Sequence, residues 1–206
     1  MSEYILMKGN EAIGETAIPF EEWRNNMLEL RINGFGGQGS VTLAHLLAQA
    51  ALENGEQGQA LPFFGVERRG APVRAAVRMS PTTIHAHSQC ELPDYVVVMS
   101  EKLTKAAVSE GITEIGTVII NAPHAVAVEK HPTWQVDADA IAREAGLFST
   151  DGPFINIPLF GAVCRVLNIP QNIMEQTILN KWPGNNGERN LGAAGKAYNT
   201  VTQISV

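Results

Sequence analysis

The chain has 206 residues, of which 45% are hydrophobic and 17% are charged, which is enough apolar material for one sizeable folded domain. A formal net charge of -6 without dense clusters of Lys and Arg argues against a nucleic-acid-binding protein. We expect neither a secretory leader nor a membrane span, and Cys90 and Cys164 lack the spacing of a zinc or iron–sulfur site. These features predict a reduced, cytoplasmic protein.

The predicted elements alternate between strands and helices along most of the chain. After an N-terminal arm at 1–27, a strand at 29–32 leads into a glycine-rich segment at 33–40 and a helix at 41–54. The remaining elements are strands at 73–79, 95–99 and 117–121, helices at 102–110, 139–145, 160–167 and 173–181, a short segment at 154–157 and a loop at 182–189. This alternation predicts an α/β domain at 28–206, with a Rossmann-like parallel sheet flanked by helices.

The glycine-rich segment is the sharpest local signal for a binding site. Glycine permits positive φ and a close approach of backbone amides to a phosphate, and Gly34, Gly36 and Gly39 match the GxGxxG pattern. A dinucleotide site also needs an acidic residue about 20 residues further on, at the end of the next strand, and no strand is predicted before Glu53 or Glu56. An anion or pyrophosphate site is favoured, and a turn that only packs a helix on a strand is the alternative. The candidate cofactor-binding residues are Gly34, Gly36, Gly37, Gln38, Gly39 and Ser40.

A second group of charged residues lies between glycines ahead of the strand at 73–79. Glu67, Arg68 and Arg69 are candidate cofactor-binding residues, because guanidinium groups bind phosphate or carboxylate groups in a bidentate manner. An ion-pair cluster that faces solvent or another subunit is an equal alternative. Arg74 and Arg78 lie an even number of residues apart on a strand, which predicts a shared electropositive face.

No catalytic or metal-binding residue is predicted. The five histidines are scattered, and only His85 and His87 could share a strand face. The sequence offers neither a Ser-His-Asp or Cys-His set nor paired carboxylates at a spacing that favours acid–base chemistry. We therefore expect that this chain alone is not a complete catalyst.

Together these motifs resemble the gamma subunit of pyruvate and related 2-oxoacid:ferredoxin oxidoreductases. The resemblance covers about residues 30–198 and rests on GFGGQG at 34–39 followed by GVERRG at 65–70. Further matching residues are Asp94, the run 139–142, Asn156 ahead of 159–161, and the run 188–190 ahead of Gly195. The order of the two glycine motifs makes the resemblance specific.

Two segments depart from the gamma pattern. Ala71 stands where the family commonly has a second glycine, so the backbone there is expected to be altered. The residues at 7–13 are similar to the opening of the family's alpha subunit, although the sequence that follows there is missing. The arm at 1–27 is therefore interpreted as a contact with a sister subunit, with coincidence as the alternative.

The resemblance implies a subunit of a complex that converts a 2-oxoacid and coenzyme A into an acyl-CoA, CO2 and a reduced acceptor. Alpha and beta subunits would hold thiamine diphosphate with Mg, and a ferredoxin-like subunit would hold iron–sulfur clusters. No cofactor is assigned to this chain alone, and it would help assembly and shape the approach of coenzyme A. The alternatives are a free-standing dinucleotide-binding Rossmann protein and a scaffold without a ligand.

Overall fold

The computed structural model describes residues 7–8, 11–12, 27–63, 70–86 and 90–205. Within these ranges seven strands form one sheet, in the order β7-β6-β5-β4-β1-β3-β2. The strands are β1 (Leu28–Phe35), β2 (Gln57–Phe63), β3 (Pro72–Ser80), β4 (Tyr95–Val98), β5 (Thr117–Asn121), β6 (Thr133–Val136) and β7 (Thr202–Ile204).

The sheet is mixed, with a parallel centre and antiparallel edges. The centre of the sheet is parallel, as the sequence predicts: β1 pairs with β4, β4 with β5, and β5 with β6. β3 is antiparallel to both β1 and β2, and β7 is antiparallel to β6. The connection between β2 and β3 at 64–71 is too short for the crossover of about a dozen residues that parallel neighbours need. The predicted α/β fold is confirmed, with the predicted strand at 73–79 running antiparallel to β1.

Six helices of the described chain pack on the two faces of this sheet. They are α1 (Ser40–Glu53), α2 (Thr104–Ser109), α3 (Ala138–Glu144), α4 (Asn156–Val166), α5 (Gln171–Lys181) and α6 (Asn185–Thr200), and a 3-10 turn at Glu101–Leu103 precedes α2. The larger core lies between one sheet face and α1 with α3 to α6, and a smaller core lies under α2 on the other face.

Helix α4 lies at the centre of the larger core, since all its residues except Arg165 are buried. Gly161 allows this depth, because a Cβ at this position would lie 2.0 Å from the carbonyl oxygen of Ala194 in α6. The sequence predicts this helix only from residue 160, whereas it begins at Asn156. Its first turn is therefore available to the region around the glycine loop.

The predicted loop at 182–189 is wrong in its second half, because α6 begins at Asn185. A Cβ at Gly187 would lie 2.0 Å from the carbonyl oxygen of Trp182. The glycine therefore serves close backbone packing inside a helical segment, which composition alone cannot distinguish from a flexible loop. The sequence analysis also does not predict strands β2, β6 and β7.

Most of the predicted N-terminal arm at 1–27 lies outside the described residues. Within it, Met7–Lys8 pairs with Glu11–Ala12 as a short antiparallel ladder. A second short ladder joins Phe148–Ser149 to Gly152–Pro153 between α3 and α4. In the described ranges, none of the helices combines the length and apolarity that crossing a bilayer requires.

Candidate functional site

The glycine loop lies at the point where the chain leaves β1 toward one side of the sheet while β4 flanks β1 on the other side. After β1 the chain passes through α1 to β2 and β3, whereas β4, β5 and β6 extend the sheet in the opposite direction. In open α/β sheets the crevice at the carboxyl ends of the strands at such a switch point is the usual place for a ligand. The loop is therefore at the position where a site is expected.

Two glycines of this loop have backbone conformations that disfavour a side chain. Gly37 has φ of 97° and Gly39 has φ of 83°, both in the left-handed region. Gly36 instead forms backbone hydrogen bonds to the second motif. Its N–H donates to the carbonyl oxygen of Ala71 at 2.9 Å, and its carbonyl oxygen accepts from the N–H of Gly70 at 3.4 Å. The end of the second glycine motif thus contacts the first one.

Gly34 and Gln38 form the floor of the loop. The backbone N–H of Phe35 donates to Oε1 of Gln38 at 2.7 Å, so this side chain folds back over the end of β1. A Cβ on Gly34 would lie 2.9 Å from Sδ of Met99 and 3.3 Å from the same Gln38 oxygen. Glycine at 34 therefore makes room for Gln38, whose amide nitrogen has no hydrogen bond to the described residues.

The start of α1 carries free backbone donors. Gly39 is the N-cap, no side chain caps the helix, and its first turn contains no acidic residue. The first amides of a helix have no intrahelical acceptor, so they concentrate partial positive charge at this end. Asn156 at the start of α4 packs directly on Gly39, where a Cβ would lie 2.9 Å from Cγ of Asn156. The sequence analysis placed Asn156 in a matching motif but not at this loop.

A buried amide holds the neighbouring strand ends together. Asn121, the last residue of β5, donates to the carbonyl oxygen of Met99 at 3.0 Å and to Oδ2 of Asp139 at 2.8 Å. Its own Oδ1 accepts from the backbone N–H of Ala138 at 2.9 Å. These bonds connect β4, β5 and α3, so Asp139 has a structural partner beside the loop.

The candidate residues fall into two groups in the structure. The first group lies in the turn from β1 to α1, with Gly34 in the strand, Ser40 at the start of the helix, and Gly36, Gly37, Gln38 and Gly39 between them. Their role in binding a ligand stays a prediction. Glu67, Arg68 and Arg69 lie outside the described residues, so their role as a ligand clamp stays a prediction.

The predicted electropositive face of β3 needs a correction. Arg74 and Arg78 do share a face, but the Arg78 side chain is 1% exposed and lies 2.5 Å from Oε1 of Glu29. It also donates to the carbonyl oxygen of Ala86 at 2.9 Å. Because its charge is neutralised inside the protein, Arg78 is not available to an external anion, whereas Arg74 on the same face is exposed.

Arg31 on β1 is a second buried arginine with its own set of partners. Its guanidinium donates to the carbonyl oxygens of Ala107 at 2.7 Å and Gly111 at 2.6 Å, and it lies 3.6 Å from Glu110. Burial lowers the pKa of Arg31, and the negative charge of Glu110 opposes this shift. The exposed Arg74 contacts the same carboxylate at 3.3 Å.

The remaining candidate groups for chemistry do not assemble into a site in the described chain. Both cysteines are free and buried, and burial together with the charge of Glu29 raises the pKa of Cys90 to about 12. No group of three or more potential metal ligands occurs among the described residues. Glu53, which has the sequence distance of a ribose ligand, instead accepts from Thr177 at 2.7 Å and Asn180 at 2.9 Å on α5. This arrangement argues against a dinucleotide site.

Comparisons with known proteins agree with this architecture. The family of pyruvate ferredoxin/flavodoxin oxidoreductases matches residues 29–200. The common gamma subunit of the pyruvate/ketoisovalerate oxidoreductases of Pyrococcus furiosus is 40% identical over 182 residues, which cover 84% of this chain and 96% of the relative.

Two solved structures add to the comparison. The PORC subunit of pyruvate oxidoreductase from Thermotoga maritima matches with a TM-score of 0.74 and 30% identity, over 87% of this chain and 99% of that chain. The 2-oxoglutarate:ferredoxin oxidoreductase of Magnetococcus marinus shares the fold with a TM-score of 0.69 and 18% identity, over 83% of this chain and 30% of that chain. The chain belongs to the pyruvate ferredoxin/flavodoxin oxidoreductase family and corresponds to its gamma subunits.

Proposed function

We propose that this chain is the gamma subunit of a cytoplasmic complex that oxidatively decarboxylates a 2-oxoacid to an acyl-CoA, CO2 and a reduced acceptor. The observation that carries the proposal is the match to a gamma subunit over 96% of that relative's length. Alpha and beta subunits with thiamine diphosphate and Mg would carry out the decarboxylation, and a ferredoxin-like subunit with iron–sulfur clusters would accept the electrons.

Within this complex, we propose that the glycine loop at 34–40 with Glu67, Arg68 and Arg69 faces the route of coenzyme A. Support comes from the switch-point position of the loop and from the free amides at the start of α1. The contacts of Gly36 with Gly70 and Ala71 bring the end of the arginine-containing segment to this loop. The Magnetococcus marinus enzyme, which shares this fold, was solved with coenzyme A and succinyl-CoA bound.

The subunit assignment is tested by activity with and without partners. The purified chain alone should show no 2-oxoacid oxidation, because carbanion stabilisation and electron transfer require cofactors of the partner subunits. The complex assembled with alpha, beta and ferredoxin-like subunits should turn over. Turnover by the isolated chain would contradict the assignment.

The coenzyme A role is tested by Arg68→Ala and Arg69→Ala in the assembled complex. Each change should raise the apparent KM for coenzyme A by roughly tenfold while that for the 2-oxoacid changes less, because an ionic hydrogen bond contributes about 1.5–3 kcal/mol. Arg143→Ala, at an exposed arginine of α3, is the matched control. An unchanged dependence on coenzyme A in both variants, at normal assembly, would remove the ligand role and leave an interface.

A further inference from the structure

Three exposed apolar side chains lie at the edge of the sheet opposite the glycine loop. Met27 precedes β1, Leu92 lies ahead of β4 and Ile115 lies ahead of β5, with exposed fractions of 39%, 62% and 71%. Because β1, β4 and β5 are parallel neighbours, their amino ends meet at the same edge. We call Met27, Leu92 and Ile115 the amino-edge patch.

Backbone hydrogen bonds hold the three segments of this patch side by side. The N–H of Asp94 donates to the carbonyl oxygen of Glu29 at 2.9 Å, which joins the segment ahead of β4 to the start of β1. The N–H of Thr113 donates to the carbonyl oxygen of Pro93 at 3.1 Å, which joins the same segment to the turn ahead of β5. The three side chains thus stand on adjoining segments, and grouped apolar exposure of this kind indicates an interaction surface.

We propose that the N-terminal arm of the same chain covers the amino-edge patch through Ile18, Phe20 and Trp23. The arm joins the domain at this edge, since Met27 is both the last residue before β1 and a member of the patch. The arm carries these large apolar side chains within six residues of sequence. The family match at 29–200 leaves the arm out, so this contact would be an addition to the shared domain.

The arm is long enough for this contact. Neighbouring strands lie about 4.8 Å apart, so β5 lies about 10 Å from β1 across the sheet. An extended chain spans about 3.3 Å per residue, so Trp23 reaches about 13 Å and Phe20 about 23 Å from Met27. Trp23 can therefore contact Leu92, and Phe20 can contact Ile115.

The covalent connection favours the arm over a separate molecule as the occupant of the patch. A segment joined to its binding surface by a short linker acts at an effective concentration in the millimolar range. A sister subunit or a second copy of this chain needs a larger contact to compete. The patch and the glycine loop lie at opposite ends of β1, so this inference does not depend on the proposed role in coenzyme A binding.

A nitroxide label at Glu22→Cys in the full-length chain tests the contact by paramagnetic broadening of amide NMR signals. Cys90 and Cys164 are buried, so the label reacts at the new thiol. The signals of Leu92 and Ile115 should lose intensity relative to the chain with a reduced label. The signals of residues 37–39, at the opposite end of β1, should not.

Substitutions on both sides of the contact separate docking from the connection itself. Phe20→Ser with Trp23→Ser should lower the ratio of docked to undocked arm about tenfold or more, because two aromatic rings lose an apolar surface. Leu92→Ser with Ile115→Ser should reduce the broadening in the same way. Leu179→Ser, at a leucine of α5 that is 42% exposed, is the matched control and should leave the broadening unchanged.

Three outcomes would overturn the proposal. Equal broadening with and without Phe20→Ser and Trp23→Ser would show that the connection alone accounts for it. No broadening in the isolated chain would leave the arm to a sister subunit. A mixed sample, in which one copy carries the label and the other the isotope, should show no broadening at the patch, and broadening there would assign the contact to a second copy.

Discussion

Two groups of polar residues lie toward opposite ends of β1, and they differ in how many partners their side chains have. The arginine cluster consists of Arg31 and Arg78 with the carboxylates of Glu29 and Glu110, and each charge in it has an opposite charge or carbonyl oxygens as partners. The helix-start pair consists of Ser40 and Asn156, which are neutral and have no such partners in the described structure.

The difference shows that charge on a strand does not by itself indicate a ligand site. Arg78 fits the sequence pattern of an electropositive face, but its charge is used inside the protein by Glu29. Ser40 and Asn156 carry no charge, and neither side chain has a hydrogen bond to a described residue, although both residues are largely buried. We infer that the arginine cluster serves stability.

The largest expected effect is on stability, from removal of Arg31. Arg31→Met should lower the free energy of unfolding by about 3–5 kcal/mol, because it leaves the carbonyl oxygens of Ala107 and Gly111 without their charged donor. Arg74→Ala removes the exposed partner of the same Glu110 and should cost about 1 kcal/mol or less. Urea unfolding of the two variants measures both values. Similar losses would show that burial does not separate the two arginines.

A smaller effect is expected at the glycine loop, and it differs between two positions. Gly37→Ala should cost about 1–2 kcal/mol, because a side chain at positive φ is strained but would meet no other atom. Gly39→Ala has the same strain and also a contact at 2.9 Å with Asn156, so it should cost about 1–3 kcal/mol more. Thermal unfolding of both variants measures the difference.

The double variant Gly39→Ala with Asn156→Ala sharpens this result. Removing the Asn156 amide should recover the part of the loss that comes from the contact and leave the part that comes from φ. Strictly additive losses would show that Asn156 does not lie against the loop in solution.

The sequence predicted the glycine loop and the central strands well, because those signals are local. The turn from β1 to α1 needs glycine at specific positions, and the apolar runs of β4 and β5 are buried on both faces. The same local rules argued against β2, which contains Gly58 and Pro62. In the structure a Cβ at Gly58 would lie 2.0 Å from the carbonyl oxygen of Ala48, so this glycine admits α1 close to the sheet. Pro62 is tolerated because β2 is an edge strand.

The part of the candidate site that depends on distant residues could not be predicted. Asn156 reaches Gly39 only because α4 begins earlier than its apolar pattern indicates and packs against α1. The partners of Arg31 come from α2 and the turn after it, and sequence spacing does not reveal such pairings. The local sequence pattern therefore located the loop, whereas the tertiary fold determined which polar side chains have hydrogen-bond partners.

The smallest effect is expected from Asp94, at the border of the arginine cluster. Its Oδ2 accepts from the backbone N–H of Glu29 at 2.9 Å. Burial raises the pKa of Asp94 above its ordinary value of 3.8, and the nearby charge of Glu29 adds to the shift while the backbone hydrogen bond opposes it. Since the folded protein then holds this proton to a higher pH than the unfolded chain, stability should fall as pH rises through the window above 3.8.

Asp94→Asn isolates this contribution, because the amide oxygen still accepts from Glu29 but the side chain no longer titrates. The variant should lose less stability than the native chain as pH rises through that window, as urea unfolding at a series of pH values would measure. Glu114→Gln, at an exposed carboxylate, controls for the change in net charge. If Asp94→Asn and the native chain have parallel profiles of stability against pH, Asp94 is solvated in solution and burial does not raise its pKa.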